Sequence, residues 1–226
     1  MSSTRHPLTQ CLFAEALGTG VMTVTLVGSG LQAGHLSQDA GVVLLCTPIA
    51  CGAILFVLLE RLGPISGGHF NPAVSLAMLL QRVLSFREAA AYVVAQLFGS
   101  AIGVMLAHLM FKMPPLAIGD HAREGLAVWL SEGVATFGLV FSILVSAHYR
   151  PRSNPAIVAV YVLSVALFSS TSFANPAITI ARTMTDTTSG IRPTDAPTFV
   201  FVQLIGSLLA VAASRWLIAG ARQGDF

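Results

Sequence analysis

Gly63-Pro64-Ile65-Ser66-Gly67-Gly68-His69-Phe70-Asn71-Pro72-Ala73-Val74-Ser75-Leu76-Ala77-Met78-Leu79-Leu80 is the stretch that decides the fold. It opens on turn residues and then runs apolar for about ten positions. Crossing a bilayer core takes roughly 20 apolar residues, so the run is too short to span, and it is too hydrophobic for an exposed loop. A re-entrant half-helix satisfies both facts. Irregular backbone at membrane depth is tolerated only where protein buries it or where it lines a water-filled cavity, so the segment also predicts a cavity. Asn71 suits the N-cap, and Pro72 suits the first helical position, where a missing N–H costs nothing. Phe173-Ala174-Asn175-Pro176-Ala177-Ile178 repeats the design further along. A third Asn-Pro-Ala, Asn154-Pro155-Ala156, follows Arg150 and Arg152 and reads as ordinary helix capping.

The rest of the chain has the composition such a segment needs. Of 226 residues 54% are apolar and 10% charged, and the mean hydropathy is +0.77. Soluble domains carry about 25% charged residues. Six stretches are long and apolar enough to span, at about 9–31, 41–62, 88–111, 126–149, 155–171 and 197–220. The first is too long for a signal-peptide core and lacks a small-residue cleavage site behind it. The expected fold is an all-α membrane protein with six spans and two re-entrant half-helices. Cys11, Cys46 and Cys51 all fall inside spans, without disulfide or metal-ligand spacing. With both termini cytoplasmic, Arg5, Arg61, Arg82, Arg87, Arg150, Arg152, Arg215 and Arg222 lie inside, against Lys112, Arg123, Arg182 and Arg192 outside. Eight against four follows the positive-inside bias.

The chain also repeats itself. Glu15-x-x-x-Thr19 matches Glu132-x-x-x-Thr136 at an offset of 117 residues. The two Asn-Pro-Ala segments match at 104, and Gln96-Leu97-Phe98-Gly99-Ser100 matches Gln203-Leu204-Ile205-Gly206-Ser207 at 107. We expect one channel domain over 1–226, with repeats at about 8–112 and 125–221. Three spans per repeat is an odd number, so the second repeat must be inverted in the membrane, a plan suited to a midplane site. By inversion the half-helices meet end to end at the bilayer centre, each bringing a positive dipole end of about half a charge. A neutral solute there meets two Asn amide donors and a line of carbonyl acceptors, whereas a cation or hydronium meets a barrier.

On these residues the chain resembles the major intrinsic proteins, the aquaporins and aquaglyceroporins. Ser66-Gly67-Gly68-His69-Phe70-Asn71-Pro72-Ala73-Val74 is close to their first-half signature, and the paired Glu-x-x-x-Thr and Gln-x-x-Gly elements are also theirs. The resemblance implies a homotetramer with one pore per subunit, in contact with membrane lipid. It further implies that Glu15 and Glu132 are structural carboxylates accepting hydrogen bonds from the re-entrant loops. Their matched positions favour that shared role over a proton relay. His69 is expected to brace its loop or lend its carbonyl to the pore. The stretch Ser172 to Arg182, with Gly190-Ile191-Arg192-Pro193, is similar to a bacterial subgroup of such channels associated with arsenic resistance. That likeness implies a bacterial inner membrane and adds arsenious acid to glycerol and water as a solute.

Departures from the family pattern bear on the solute. Where water-selective members place an Arg after the second Asn-Pro-Ala, this chain has Ile178. Family spacing puts Cys51 where a bulky aromatic would be, Val162 or Leu163 at the fifth-span position, and Ser172 at the fourth. The expected constriction is wider and more apolar than a water filter. Cys51 either simply widens it or offers a soft thiol to trivalent arsenic or antimony. Arg182, four residues after Ile178 and so on the same helix face, is a candidate displaced gate; otherwise it snorkels to headgroups or pairs with Asp186. Phe13, Phe98, Phe137 and Phe141 are expected to face lipid or pack, and Gly99 and Gly206 to permit close crossings. No cofactor, metal motif, nucleophile elbow or nucleic-acid partner is indicated, and nothing suggests an enzyme. Two rivals remain: a water-selective pore, and an ion-coupled carrier, which would normally set acidic residues beside the unwound segments.

Overall fold

The computed structural model describes residues 6–221, and Arg5 and Arg222 lie outside the described residues. Among them the chain forms eight α-helices and no strand: α1 (Leu8–Leu36), α2 (Ala40–Ser66), α3 (Pro72–Leu80), α4 (Phe86–Met110), α5 (Leu126–Tyr149), α6 (Asn154–Phe168), α7 (Pro176–Ala181) and α8 (Ala196–Ala221). Among the described residues, six helices, all but α3 and α7, are long and apolar enough to cross a membrane, α6 being counted with the 3-10 turn Pro151–Ser153 that leads into it. The 9-residue α3 and 6-residue α7 span only about 14 and 9 Å at 1.5 Å per residue. They are the half-helices, and the chain is an integral membrane protein.

Helix ends follow local chemistry rather than hydropathy. The second span runs on to Ser66, past the expected stop near 62, and takes Pro64 inside its last turn; Gly67, at φ 92°, then stops the helix. The fifth span stops at Phe168, short of 171, where Ser131 Oγ takes the N–H of Thr171 and draws the chain out of the helix. Asn154 departs from its expected role. Its backbone is already helical (φ −55°, ψ −46°), so it does not cap, and its Oδ1 instead accepts from Ser146 Oγ, tying α6 to α5. Asn71 and Asn175, with extended backbones at φ −160° and −152°, are the true caps.

The two halves pack alike. α1 lies along α4 and α5 along α8, while α3 and α7 each contact both α4 and α8. Close approach at these crossings rests on glycine. A Cβ on Gly99 would strike the carbonyl of Ala16, and one on Gly206 would lie 2.5 Å from the carbonyl of Gly133. Phe13 and Phe98 are exposed on the apolar surface, whereas Phe137 and Phe141 stack on each other.

Candidate pore

Each re-entrant loop is held by one buried carboxylate. Glu15 Oε1 accepts from Ser66 Oγ (2.7 Å) and His69 N (2.9 Å), and Oε2 accepts from Phe70 N and Gln96 Nε2 (both 2.7 Å). Glu132 does the same for Phe173 N (2.8 Å), Ala174 N (2.9 Å) and Gln203 Nε2 (2.8 Å). The carboxylate has a steric task to meet. Phe70 and Ala174 both sit at φ 48°, a left-handed backbone costing roughly 1–2 kcal/mol for a residue with a Cβ. Two strong acceptors on consecutive N–H groups hold that turn in place. The family likeness supplied this role, and the matched bonds show how it is carried out.

After the turn, each Asn faces two ways. Asn71 Oδ1 accepts from Ala73 N (2.9 Å), and Asn175 Oδ1 accepts from Ala177 N (3.0 Å) and Ile178 N (3.3 Å). The amide nitrogens reach across. Asn71 Nδ2 donates to Ala174 O (2.7 Å), and Asn175 Nδ2 donates to Phe70 O (2.8 Å). The half-helices are thus stitched together at their N-termini by a reciprocal pair of bonds. Pro72, Ala73, Pro176 and Ala177 are buried behind the stitch. Ser207 Oγ donates to Ala73 O and Ser100 Oγ to Ala177 O, extending the match between halves.

A cavity of about 1180 Å³ passes this junction. Arg152 and Val83 line one end, Asn71 and Asn175 the wall, and Arg123 and Ser189 the other end. His69, Cys51, Val162, Ser172, Ile178 and Arg182 also line it. Leu163 does not, because one residue further round the helix it turns to α2, where a Cβ on Gly52 would lie 3.0 Å from its own. His69 Nδ1 pairs with Ser75 Oγ at 3.1 Å. Glu15 and Glu132, wholly buried, stay behind the wall.

Arg182 is only 7% exposed. It neither snorkels nor meets Asp186, which faces His121. Its guanidinium lies over the Phe173 ring, 3.2 Å from the centroid, and its Nε donates to Ser189 O. Arg123 reaches the same ring at 5.2 Å, while Nε and Nη2 donate to Gly190 O and Thr188 O, both at 2.8 Å. Sequence reasoning missed Phe173, Arg123 and Ser189. Phe173 had a signal, since it occupies the repeat position of His69; Arg123 comes from a loop 50 residues away and had none. Exposed Asp120, His121 and Asp186 also gather, with ligand atoms within 4.8 Å of one another.

Comparison with known proteins now bears on this arrangement. Residues 2–171 match the family described as MIP: Major intrinsic protein. This chain belongs to the major intrinsic protein family. Among members, it is 50% identical to Aquaglyceroporin AqpS of Rhizobium meliloti (strain 1021) over 216 residues, 95% of this chain and 93% of that one. Human Aquaporin-5 is 32% identical over 160 residues, 66% of this chain and 57% of the relative. The aquaglyceroporin from Plasmodium falciparum superposes with a TM-score of 0.74 over 91% of this chain and 95% of that one, at 17% identity, and so shares the fold. A major intrinsic protein is a channel, not an enzyme.

Proposed function

We propose that this channel conducts small uncharged solutes passively: glycerol, trivalent metalloid acids such as arsenious acid, and water. Protons and ions are excluded. The observation that carries the reading is the wall around Ile178. Cys51, Val162 and Ser172 line the cavity there with small or aliphatic side chains, while the aromatic Phe173, which also lines it, lies under the Arg182 guanidinium, and pore diameter together with lining donors sets selectivity in such channels. The 50% identical relative is named an aquaglyceroporin, which supports a glycerol-sized bore. Each Asn amide has two N–H donors. With one given to the opposite loop, the other can greet a hydroxyl, while both half-helix N-termini repel cations. The working form is a homotetramer in a bacterial inner membrane, one pore per subunit, both termini cytoplasmic.

One observation favours a narrower, water-selective pore: Arg182 is held in the cavity by Phe173 and Ser189 and takes up width. Stopped-flow light scattering on proteoliposomes separates the two, with water, glycerol and arsenious acid compared against empty vesicles. Fast entry of the two larger solutes is the expected result. Fast water with both others excluded would replace this reading with the water-selective one.

A further inference from the structure

Beyond Ile178 the cavity wall changes from apolar to polar and basic. Ser172, Thr171, Thr188 and Ser189 line it together with Arg123 and Arg182. Two guanidinium groups share one aromatic ring there. Among the described residues, the ion pairs at this end fall on His121 and Arg192, not on Arg123 or Arg182. Glu132 is the carboxylate whose field both guanidinium groups feel, but its oxygens are occupied by Phe173 N, Ala174 N and Gln203 Nε2. Asp195 is likewise taken by Arg192 and by the backbone N–H of Arg123. Arg182 has one protein acceptor, the carbonyl of Ser189. Its Nη groups take none among the described residues, although the side chain is only 7% exposed and borders the cavity.

A cation removed from water without a counter-charge is costly, and a guanidinium's N–H fork matches an oxyanion two bonds at a time. We infer that this mouth is a docking site for a small oxyanion such as inorganic phosphate, which seats on Arg182 and Arg123 with the neighbouring hydroxyls and obstructs solute entry. The next residues inward, Val162 and Ile178, offer an anion no donor side chain, and stripping a charge of water without new partners is prohibitive. The anion therefore stops at the mouth. It plugs the pore and is not carried through.

The inference rests on the channel reading, and one experiment separates their failures. Glycerol entry is followed in phosphatidylcholine proteoliposomes, so that lipid headgroups stay constant, with phosphate replacing chloride at fixed ionic strength on both faces. Glycerol entry in chloride alone tests the channel. Phosphate should slow it saturably, by at least about threefold, and more at low glycerol. Arg182→Gln should remove the phosphate effect, and Arg182→Lys should keep part of it. Fast entry indifferent to phosphate would overturn the inference, as would inhibition surviving in both Arg182→Gln and Arg123→Gln. Should the variants not fold, phosphorus NMR line broadening with the wild-type channel in detergent decides: no broadening over an empty-micelle control overturns it as well.

Discussion

A carboxylate offers about four acceptor sites and no donor, and Glu15 and Glu132 use that capacity on loops that could not otherwise hold a left-handed Phe70 and Ala174. Replacing either by Gln swaps one oxygen for an NH2 that must face N–H donors. Glu15→Gln and Glu132→Gln should each cost on the order of 2 kcal/mol, read as a lower melting temperature in detergent. Thr19→Val, which removes only a bond to Glu15 O, should melt close to wild type. Selectivity is argued at the same scale. Cys51→Phe would project a ring into the cavity beside Ile178 and should cut glycerol entry on the order of tenfold, with water entry reduced far less. Equal losses of both would mean that Cys51 does not border the narrowest point. Both Glu residues and both Asn caps were legible in the sequence because the repeat writes each twice. Arg182 on Phe173 was not, because the stack depends on the turn at Ala174 and a carbonyl seven residues on. Nor could spacing choose Val162 over Leu163, since adjacent residues on α6 differ only by a rotation of about 100°.

Elements meet here through small residues and few but decisive polar bonds. Gly99 on α4 and Gly206 on α8 touch backbone of α1 and α5, so Gly99→Leu or Gly206→Leu must push the helices apart and loosen Gln96 and Gln203 from the carboxylates they serve. Loss of folded protein after membrane extraction, followed by size-exclusion chromatography, is the expected outcome; a normal peak would show that the crossing tolerates separation. The Gln-x-x-Gly spacing announced these crossings in the sequence. Hydropathy misjudged the ends of α2 and α6 because Gly67 and Ser131, not apolarity, set them. The segment before α8 adds a pH dependence. Burial pushes the Asp195 carboxyl up, but bonds from the Arg123 N–H and from Arg192 outweigh it and hold the group below its ordinary value. A depressed carboxyl stabilises the fold above the unfolded value of about 4, and that stability is lost as pH falls through the folded one. Asp195→Asn should therefore melt below wild type at pH 7, and the two should converge as the pH drops under about 4. A constant gap down to pH 3 would show that the charge is not what Asp195 contributes.

At the scale of the whole molecule, two half-helices far apart in sequence are brought N-terminus to N-terminus by a bundle that buries most of each. Their two cross-bonds, Asn71 to Ala174 and Asn175 to Phe70, fix the approach, so the positive ends add instead of diverging. Each is worth about half a charge and falls off within a turn, and here both fall at one level of the cavity wall. Among the described residues, Glu15 and Glu132 are turned behind the loops, and the acidic residue that lines the cavity is Glu60, near the end of α2. On the proposed channel reading, a hydronium at the junction meets two positive ends with Glu15 and Glu132 already occupied by loop N–H groups, while a neutral hydroxyl meets donors and carbonyls. Proteoliposomes carrying an internal pH dye put this to the test. Under an imposed pH gradient their lumen should equilibrate no faster than that of empty vesicles, while glycerol enters at least about tenfold faster than in the same control. Proton entry that rises in step with glycerol entry would mean that the paired helix ends supply no barrier, and that a water file through the junction carries protons past it.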